Sequence, residues 1–431
     1  MRTLDENKYR NRISFQELGL LGIVCLSFCV QIFVNIFNSI FLFLLVAALL
    51  TFLVMVEKPI VINRSQFGIQ RFWLVSLLVI AISYINGIHS WSNYADLIVF
   101  FCCILLMLCC PYNTGLLEKC IKVIEIIGVI YAVTVWIQLF LPGIYKQIMI
   151  HTFGTEIFGH VDSLRIGGYL AGFTPNPGFV AGHISVSLFA YICFREQNSY
   201  KGKNLIQIVF LLLSLMLTGK RGHLLFVILC CVLVYLSASN NKKRGRLWKV
   251  FFFFTFVIIL FMVFKDLLGN IPIVSRLVDT ISQLLLGEDI TNGRSKMYVW
   301  AIENFKNHPI FGIGWGQAKA MSQGGVLITK SMDIHNVYLQ LLCETGLLGF
   351  LIVVPTMLFC FIKTRKCYLS LSNNNASIWT KLLKFSMMYQ FFFLLYCFSG
   401  NPLYDHNYRI MYLFCCIITV AFLNSAGNLE V

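Results

Sequence analysis

Long apolar runs separated by short polar segments make up most of the chain. A run needs roughly 17–25 mostly apolar residues to cross the hydrocarbon core of a membrane as an α-helix. The pattern predicts twelve spans: residues 17–35, 37–56, 72–88, 95–110, 121–141, 178–194, 204–219, 222–238, 248–268, 337–362, 384–400 and 409–424. We therefore expect an all-α polytopic membrane protein in which residues 1–431 form one membrane domain.

The positions of Lys and Arg predict the orientation of these spans, because cytoplasmic segments carry an excess of cations. With the N-terminus in the cytoplasm, most of the 34 Lys and Arg residues fall on the cytoplasmic side. Clusters of cations at residues 242–249 and 363–384 both lie there, and removing one span would move one of the clusters across the membrane. Both termini are accordingly expected in the cytoplasm.

Two longer segments then lie outside the cytoplasm: residues 142–177, the first long extracytoplasmic loop, and residues 269–336, the main one. In the main loop, residues 272–287 alternate apolar and polar positions at helical spacing, which predicts an amphipathic helix on the membrane surface. A second helix is predicted over residues 295–307, before Pro309. The glycines of the following sequence PIFGIGWGQ predict a turn, so the main loop is expected to form a helical cap.

Composition agrees with this interpretation. The chain is 58% hydrophobic and 12% charged, whereas soluble domains carry about 25% charged residues. The net charge of +15 is accounted for by cytoplasmic segments and does not indicate nucleic acid. Most of the 16 cysteines lie within apolar runs, so we expect them to pack as small apolar side chains and to form no disulfide framework. The polar, basic N-terminal segment predicts no cleavable signal peptide.

The sequence LTGKRGHLL (residues 217–225) places Lys220 and Arg221 between two apolar runs. In the predicted orientation they lie in a very short extracytoplasmic turn, where cations are unusual. One interpretation is that both side chains extend to the membrane interface. The other is that they line a cavity and bind an anion, since ionisable residues at membrane depth are functional candidates and Arg matches phosphate oxygens with two parallel hydrogen bonds.

A second polar group lies in the main loop. Arg294 and Lys296 follow its predicted amphipathic helix, and His335 and Asn336 precede the tenth predicted span. Taken singly, each of these residues is compatible with a solvated surface. Asn336, however, is a favourable N-cap residue, and as a cap it is expected to hold His335 at the membrane face.

Four motifs occur in a fixed order: Lys-Arg-Gly at residues 220–222, Gly-Arg at 293–294, HPIFGIGWG at 308–316 and HNVYLQLLCETGLLG at 335–349. Together they resemble the O-antigen ligase and polymerase superfamily of bacterial envelope proteins. The resemblance is strongest over residues 291–350. The superfamily commonly has Ser-Arg-Gly in the middle of the chain, whereas Lys220 precedes Arg221 here.

The resemblance implies a glycosyltransferase that uses glycans linked to undecaprenyl diphosphate at the outer face of the bacterial cytoplasmic (inner) membrane. A hydroxyl group of the acceptor attacks the anomeric carbon with inversion, and the lipid diphosphate leaves. Arg221 and Arg294 are implied to stabilise the diphosphate, and His335 to take the proton as general base. Substrate-binding roles are expected for Lys220, Arg165, Lys296, Asn336 and Tyr298.

Three functions remain open at this point. The first is a polymerase of oligosaccharide repeat units for O-antigen or capsular polysaccharide, with a chain-length regulator protein as a possible partner. The second is a ligase that transfers the finished glycan to lipid A core or another acceptor. A flippase or transporter is the alternative from another class, and the loop with Arg294 and His335 argues against it.

We expect neither a metal nor another cofactor. The turn between the first two predicted spans contains no acid, and Glu288 and Asp289 form an isolated acidic pair with no further ligands nearby in the sequence. The sequence NPLYDHNYR contributes Asp405 and His406 on the same side of the membrane. We interpret these two as surface or acceptor-binding groups and not as catalysts.

Overall fold

A computed structural model of the chain describes residues 14–37, 40–57, 68–86, 91–109, 112–194, 201–237, 245–249, 255, 294–318, 334–371 and 377–427. These residues form helices and turns, with no strand among them. The principal helices are α1 (Phe15–Phe37), α2 (Ile40–Glu57), α3 (Gly68–Ser83), α4 (Trp91–Leu108), α5 (Thr114–Phe140), α6 (Pro142–Ile166), α7 (Pro177–Phe194), α8 (Lys201–Leu217), α9 (Arg221–Ser237), α10 (Arg294–Asn307), α11 (Val337–Leu371), α12 (Ile378–Tyr396) and α13 (His406–Gly427).

The predicted all-helical membrane architecture is confirmed in its outline. Within the described residues, six helices are long and apolar enough to cross a membrane, namely α1, α2, α5, α7, α11 and α13. Helices α3, α4, α8 and α9 contain shorter apolar segments. Each predicted span but one coincides with a described helix. The exception, residues 248–268, extends beyond the described part of the chain, so the number of twelve stays a prediction.

The two C-terminal helices lie at the centre of the bundle. Helix α12 packs against α7, α9, α11 and α13, and α13 packs against α1, α4 and α11 as well. Most side chains of α13 between Asn407 and Ala421 are buried. On the outer helices, large apolar side chains such as Phe41, Phe52 and Leu78 are exposed, as expected of a lipid-facing surface whose backbone polar groups are satisfied within helices.

Several predicted boundaries differ from the structure. The first long loop, residues 142–177, contains α6, which is interrupted at Gly154 where φ is +84°. Helix α12 begins at Ile378, earlier than the eleventh predicted span at residue 384, and therefore includes Lys381. Helix α10 confirms the helix predicted at residues 295–307. The predicted amphipathic helix at residues 272–287 lies outside the described residues.

The glycine-rich segment 309–316 forms the predicted turn and docks onto α11. Gly312, Gly314 and Gly316 all have positive φ. The N–H groups of Ile313 and Gly314 donate to the carbonyl oxygens of Cys343 (3.0 Å) and Glu344 (2.8 Å). In return, the N–H of Leu347 donates to the carbonyl of Pro309 at 2.8 Å.

This docking interrupts α11 at Gly346, where φ is +64° and ψ is −166°, a combination essentially restricted to glycine. A Cβ at this position would lie 2.3 Å from the carbonyl oxygen of Ile310. Gly346→Ala is therefore expected to lower the free energy of unfolding by at least about 1–3 kcal/mol, measured as a lower thermal midpoint in detergent. Gly159→Ala in α6 is the control, since no atom lies within 4 Å of the added Cβ; an equal midpoint for both variants would contradict the docking argument.

Candidate active site

A cavity of about 340 Å³ opens at one end of the helix bundle. It lies where α8 turns into α9, where α11 and α13 begin, and where α12 ends. The charged and amide side chains that line it are those of Asn176, Lys220, Arg221, Arg294, Asn401 and Asp405, and His335 lines it as well. The structure thus brings together four residues that the sequence analysis singled out from two separate segments: Lys220, Arg221, Arg294 and His335.

Lys220 enters the cavity from the tight turn between α8 and α9. Gly219 permits this turn, with φ at +71° and with Tyr169 so near that a Cβ would lie 2.7 Å from the Tyr169 ring. The ammonium group of Lys220 lies 5.5 Å from the centroid of that ring. Burial, with the nearby charge of Arg294, lowers the pKa of Lys220 to about 8. Lys220 is thus a cation that its surroundings destabilise and that a bound anion would stabilise.

The two arginines are the first residues of their helices. Arg221 begins α9, and its N–H donates to the carbonyl of Gly219 at 3.1 Å. Arg294 begins α10, and its Nη1 donates to the carbonyl oxygen of Ser399 at 3.2 Å. This bond brings the main predicted loop to the turn that follows α12, so cations from different parts of the sequence face one cavity.

His335 is held beside these cations by the start of α11. Asn336 is the predicted cap: its Oδ1 accepts from the N–H groups of Tyr338 (3.0 Å) and Leu339 (3.2 Å). The N–H of Val337 donates to the carbonyl of Cys397 at 2.8 Å, which joins the start of α11 to the end of α12. His335 itself has a φ of +55°, an uncommon backbone conformation that is often found at functional sites.

The environment of His335 favours its neutral form. Burial is the largest cause, and the positive charges of Arg294 and Lys220 add to it. Together they lower the pKa of His335 to about 4. At neutral pH the imidazole is therefore unprotonated and able to accept a proton. An anion bound to the same cations would offset their effect and raise the pKa, which makes His335 a stronger base in such a complex.

The buried carboxyl group of Glu344 supports the start of α11. It accepts hydrogen bonds from the backbone N–H groups of Gly316 (2.9 Å) and Ala318 (3.1 Å) and from the side chain of Gln340 (3.2 Å). The apolar cluster beside it contains Ile334, the residue before His335. The motifs HPIFGIGWG and ETGLLG thus form one packed unit that positions the start of α11.

Comparison with known families agrees with this geometry. Residues 206–354 match the family model described as O-antigen ligase. This segment of the chain is similar to the O-antigen ligase family. No curated protein matches the chain. The matched segment includes Lys220, Arg221, Arg294 and His335 and so supplies the cations and the histidine. Residues 399–408 complete the cavity from outside this segment.

Some residues of the cavity were not predicted from the sequence. Tyr408 donates to the carbonyl oxygen of Gly178 at 2.6 Å, and His223 Nε2 lies 3.0 Å from the same hydroxyl group. Because the single hydroxyl proton is used on Gly178, Nε2 of His223 must be the donor in the second bond. The Nε2 N–H of His223 is therefore used in its hydrogen bond to Tyr408. One indication in the sequence that His223 lies near the cavity is that it follows Lys220 by about one helical turn. A lone histidine in an apolar run, however, is usually structural.

Asp405 and His406, which the sequence analysis treated together, have different surroundings. Asp405 lines the cavity. The His406 side chain is only 14% exposed, and it contacts Arg409, so it is not a surface group. Arg409 Nη2 donates to Asp96 Oδ1 at 2.7 Å, and Trp315 Nε1 donates to Asp96 Oδ2 at 2.9 Å. This buried group fastens the glycine-rich segment to α4 and α13.

The remaining predicted site residues lie outside the cavity lining. Arg165 is exposed at the end of α6 and pairs with Asp162, with 2.8 Å between its Nε and Oδ1. Lys296 is exposed on α10. Tyr298 packs against the apolar cluster that contains Ile334. Within the described part of the chain, no group of three His, Cys, Asp or Glu residues is placed to hold a metal ion, and Glu288 and Asp289 lie outside that part.

Proposed function

We propose that this protein is a polymerase that joins undecaprenyl-diphosphate-linked oligosaccharide repeat units into O-antigen or capsular polysaccharide. The observation that carries the proposal is the single cavity in which Lys220, Arg221 and Arg294 face His335. Cations and an unprotonated histidine are the two components that glycosyl transfer from a lipid diphosphate requires. The similarity of residues 206–354 to the O-antigen ligase family supports the same donor class.

The cations bind the diphosphate of the donor in this proposal. As the bond between the anomeric carbon and the phosphate oxygen breaks, negative charge accumulates on the leaving diphosphate. Positive groups that are already in place stabilise this charge without reorganisation. The arginines suit this role because the guanidinium fork matches phosphate oxygens. Lys220 adds a further positive charge, which burial and Arg294 destabilise in the absence of a bound anion.

His335 acts as the general base. A hydroxyl oxygen of the acceptor sugar attacks the anomeric carbon, its proton passes to the imidazole of His335, and the lipid diphosphate leaves with the bonding electrons. One direct displacement inverts the configuration at the anomeric carbon. The His335 proton is released to solvent before the next turnover, and the reaction requires no redox partner.

The proposal includes a location. The cavity faces the outside of the bacterial inner membrane, both termini are cytoplasmic, and catalysis is metal-independent. A chain-length regulator protein is a proposed partner. The support for the orientation is the concentration of Lys and Arg at the opposite end of the predicted spans, at residues 242–249 and 363–384.

Lys220 gives the proposal a pH dependence. Because its pKa is lowered to about 8, Lys220 loses its charge as pH rises through that value, and donor affinity is expected to fall by about tenfold or more. The check is the dissociation constant of the lipid-linked donor from about pH 6.5 to 9.5. In Lys220→Arg, which stays charged throughout, this decline is expected to disappear. An identical decline in the variant would rule out Lys220 as its source.

A ligase is the second candidate, and the family description, O-antigen ligase, favours it. Both activities use the same donor, so the acceptor distinguishes them. We expect the purified protein to extend lipid-linked repeat units into polymer and to leave lipid A core unmodified. In cells, deletion of the gene is expected to leave one repeat unit on the surface acceptor. Loss of every repeat unit would instead indicate a ligase or a flippase.

A further inference from the structure

The side chain of Asn401 is buried against the cavity. Asn401 is 5% exposed and lines the same cavity as the cations and His335. Neither its Nδ2 nor its Oδ1 has a hydrogen-bond partner among the described residues. A buried amide without partners is costly to the folded protein, so its presence here indicates a ligand that supplies them.

The backbone fixes the position of this amide. The carbonyl of Asn401 accepts from the N–H groups of Tyr404 (3.0 Å) and Asp405 (3.1 Å). The next residue is Pro402, whose ring fixes its own φ and restricts Asn401 to extended or turn conformations. These two features hold the backbone of the turn that follows Asn401 in place.

The chemistry of this wall of the cavity differs from that of the cationic wall. Asp405 also lines the cavity, and a carboxylate beside the amide would repel a diphosphate. The Asn401 amide has a donor group and an acceptor group, and the neighbouring Asp405 carboxylate accepts hydrogen bonds. This combination matches the vicinal hydroxyl groups of a sugar. The wall is adjacent to the cations, because Arg294 donates to the carbonyl of Ser399, two residues before Asn401.

We propose that Asn401 and Asp405 form a sugar-binding subsite, in which the Asn401 amide hydrogen-bonds hydroxyl groups of the sugar that carries the diphosphate. The subsite rests on the proposed function, since the diphosphate held by the cations places its sugar against this wall. Asn401 is a positioning residue for that sugar and does not take part in proton transfer.

The test compares ligands with and without a sugar. In Asn401→Leu, affinity for polyprenyl diphosphate without a sugar is expected to equal that of the wild type, because the cations are unchanged. Affinity for the polyprenyl-diphosphate-linked oligosaccharide is expected to fall by about tenfold, the usual effect of losing one or two neutral hydrogen bonds. The thermal midpoint without ligand is expected to stay or rise, since the variant removes a buried amide that has no partner in the described part of the chain.

The control is Asn407→Leu. Asn407 is also 5% exposed, and its Oδ1 has no partner in the described chain, but it lines a separate, much smaller cavity beside His183. In this variant, the affinities for polyprenyl diphosphate with and without the sugar are expected to differ by the same factor as in the wild type. If Asn401→Leu is unstable, Asn401→Ser serves instead, because it retains a polar group that is too short to bridge two hydroxyls.

The outcomes are distinct. Wild-type affinity of Asn401→Leu for the sugar-bearing donor overturns the subsite, and so does an equal loss for both ligands, which would indicate a general structural role. A selective loss for a free acceptor oligosaccharide, with donor affinity unchanged, overturns the assignment to the donor sugar. If the wild-type protein does not bind polyprenyl diphosphate at all, the proposed function itself fails.

Discussion

Replacement of His335 by alanine is expected to reduce the rate of glycosyl transfer by about 10²–10⁴-fold, the usual effect of removing a general base. Donor affinity should change little, because the cations that bind the diphosphate remain in place. Raising the pH should not restore full activity, since hydroxide in solution cannot replace a base held against the acceptor hydroxyl. The loss is therefore expected in kcat far more than in donor binding.

The electrostatics of the cavity explain why His335 can serve as a base despite its lowered pKa. In the free protein, burial and the charges of Arg294 and Lys220 hold the pKa at about 4, so the imidazole is unprotonated throughout the physiological range. The bound diphosphate neutralises those charges and brings the pKa nearer to the working pH, where a general base is most effective. Below about pH 4, by contrast, protonation of His335 in the free protein abolishes proton acceptance.

The measurement is single-turnover transfer together with equilibrium binding of the lipid-linked donor. His308→Ala is the control, because His308 is exposed at the end of α10 and is not part of the cavity lining. If His335→Ala loses donor binding and turnover by the same factor, His335 is a binding residue. In that case the proton acceptor must be another group of the cavity.

Local sequence rules predicted the parts of the site that depend on local structure. Helix α10 ends before Pro309 as its sequence indicates, and Asn336 caps α11 because an amide side chain at that position accepts from the N–H groups of the first turn. The extracytoplasmic assignment of Lys220 and Arg221 rested on charge counting alone and remains a prediction. The structure places them beside Arg294 and His335 in one cavity, and the roles expected of these residues stay predictions.

Other parts depend on contacts between residues far apart in the sequence, which no local pattern encodes. Asp96 and Arg409 are 313 residues apart and form a buried ion pair. The hydropathy pattern gives an uninterrupted span at residues 337–362, whereas the docked glycine-rich segment interrupts α11 at Gly346. Asn401 looks like an ordinary turn residue before Pro402, and only the structure shows that its amide is buried with no partner among the residues it describes.

Removal of either arginine is expected to abolish detectable polymer while the protein still inserts into the membrane. Loss of one preorganised group that stabilises developing negative charge typically lowers kcat by about 10²–10³-fold, and weaker donor binding adds to this. Arg221→Ala and Arg294→Ala should therefore lose both donor affinity and turnover, unlike His335→Ala. Lys306→Ala is the matched control for charge, since Lys306 is exposed in the last turn of α10.

The corresponding lysine variants separate charge from geometry. Lysine keeps the positive charge but lacks the planar fork that makes two parallel bonds to a phosphate, so Arg221→Lys and Arg294→Lys should recover only part of the activity. For Arg294 the recovery should be smaller, because its Nη1 also donates to the carbonyl of Ser399 and so connects α10 to the turn that carries Asn401. Surface polysaccharide is measured on a gel. If Arg221→Ala or Arg294→Ala produces as much polymer as the wild type, that residue does not bind the diphosphate. Equal partial recovery by both lysine variants would show that the bond to Ser399 is unnecessary. Full recovery by both would show that charge alone positions the donor.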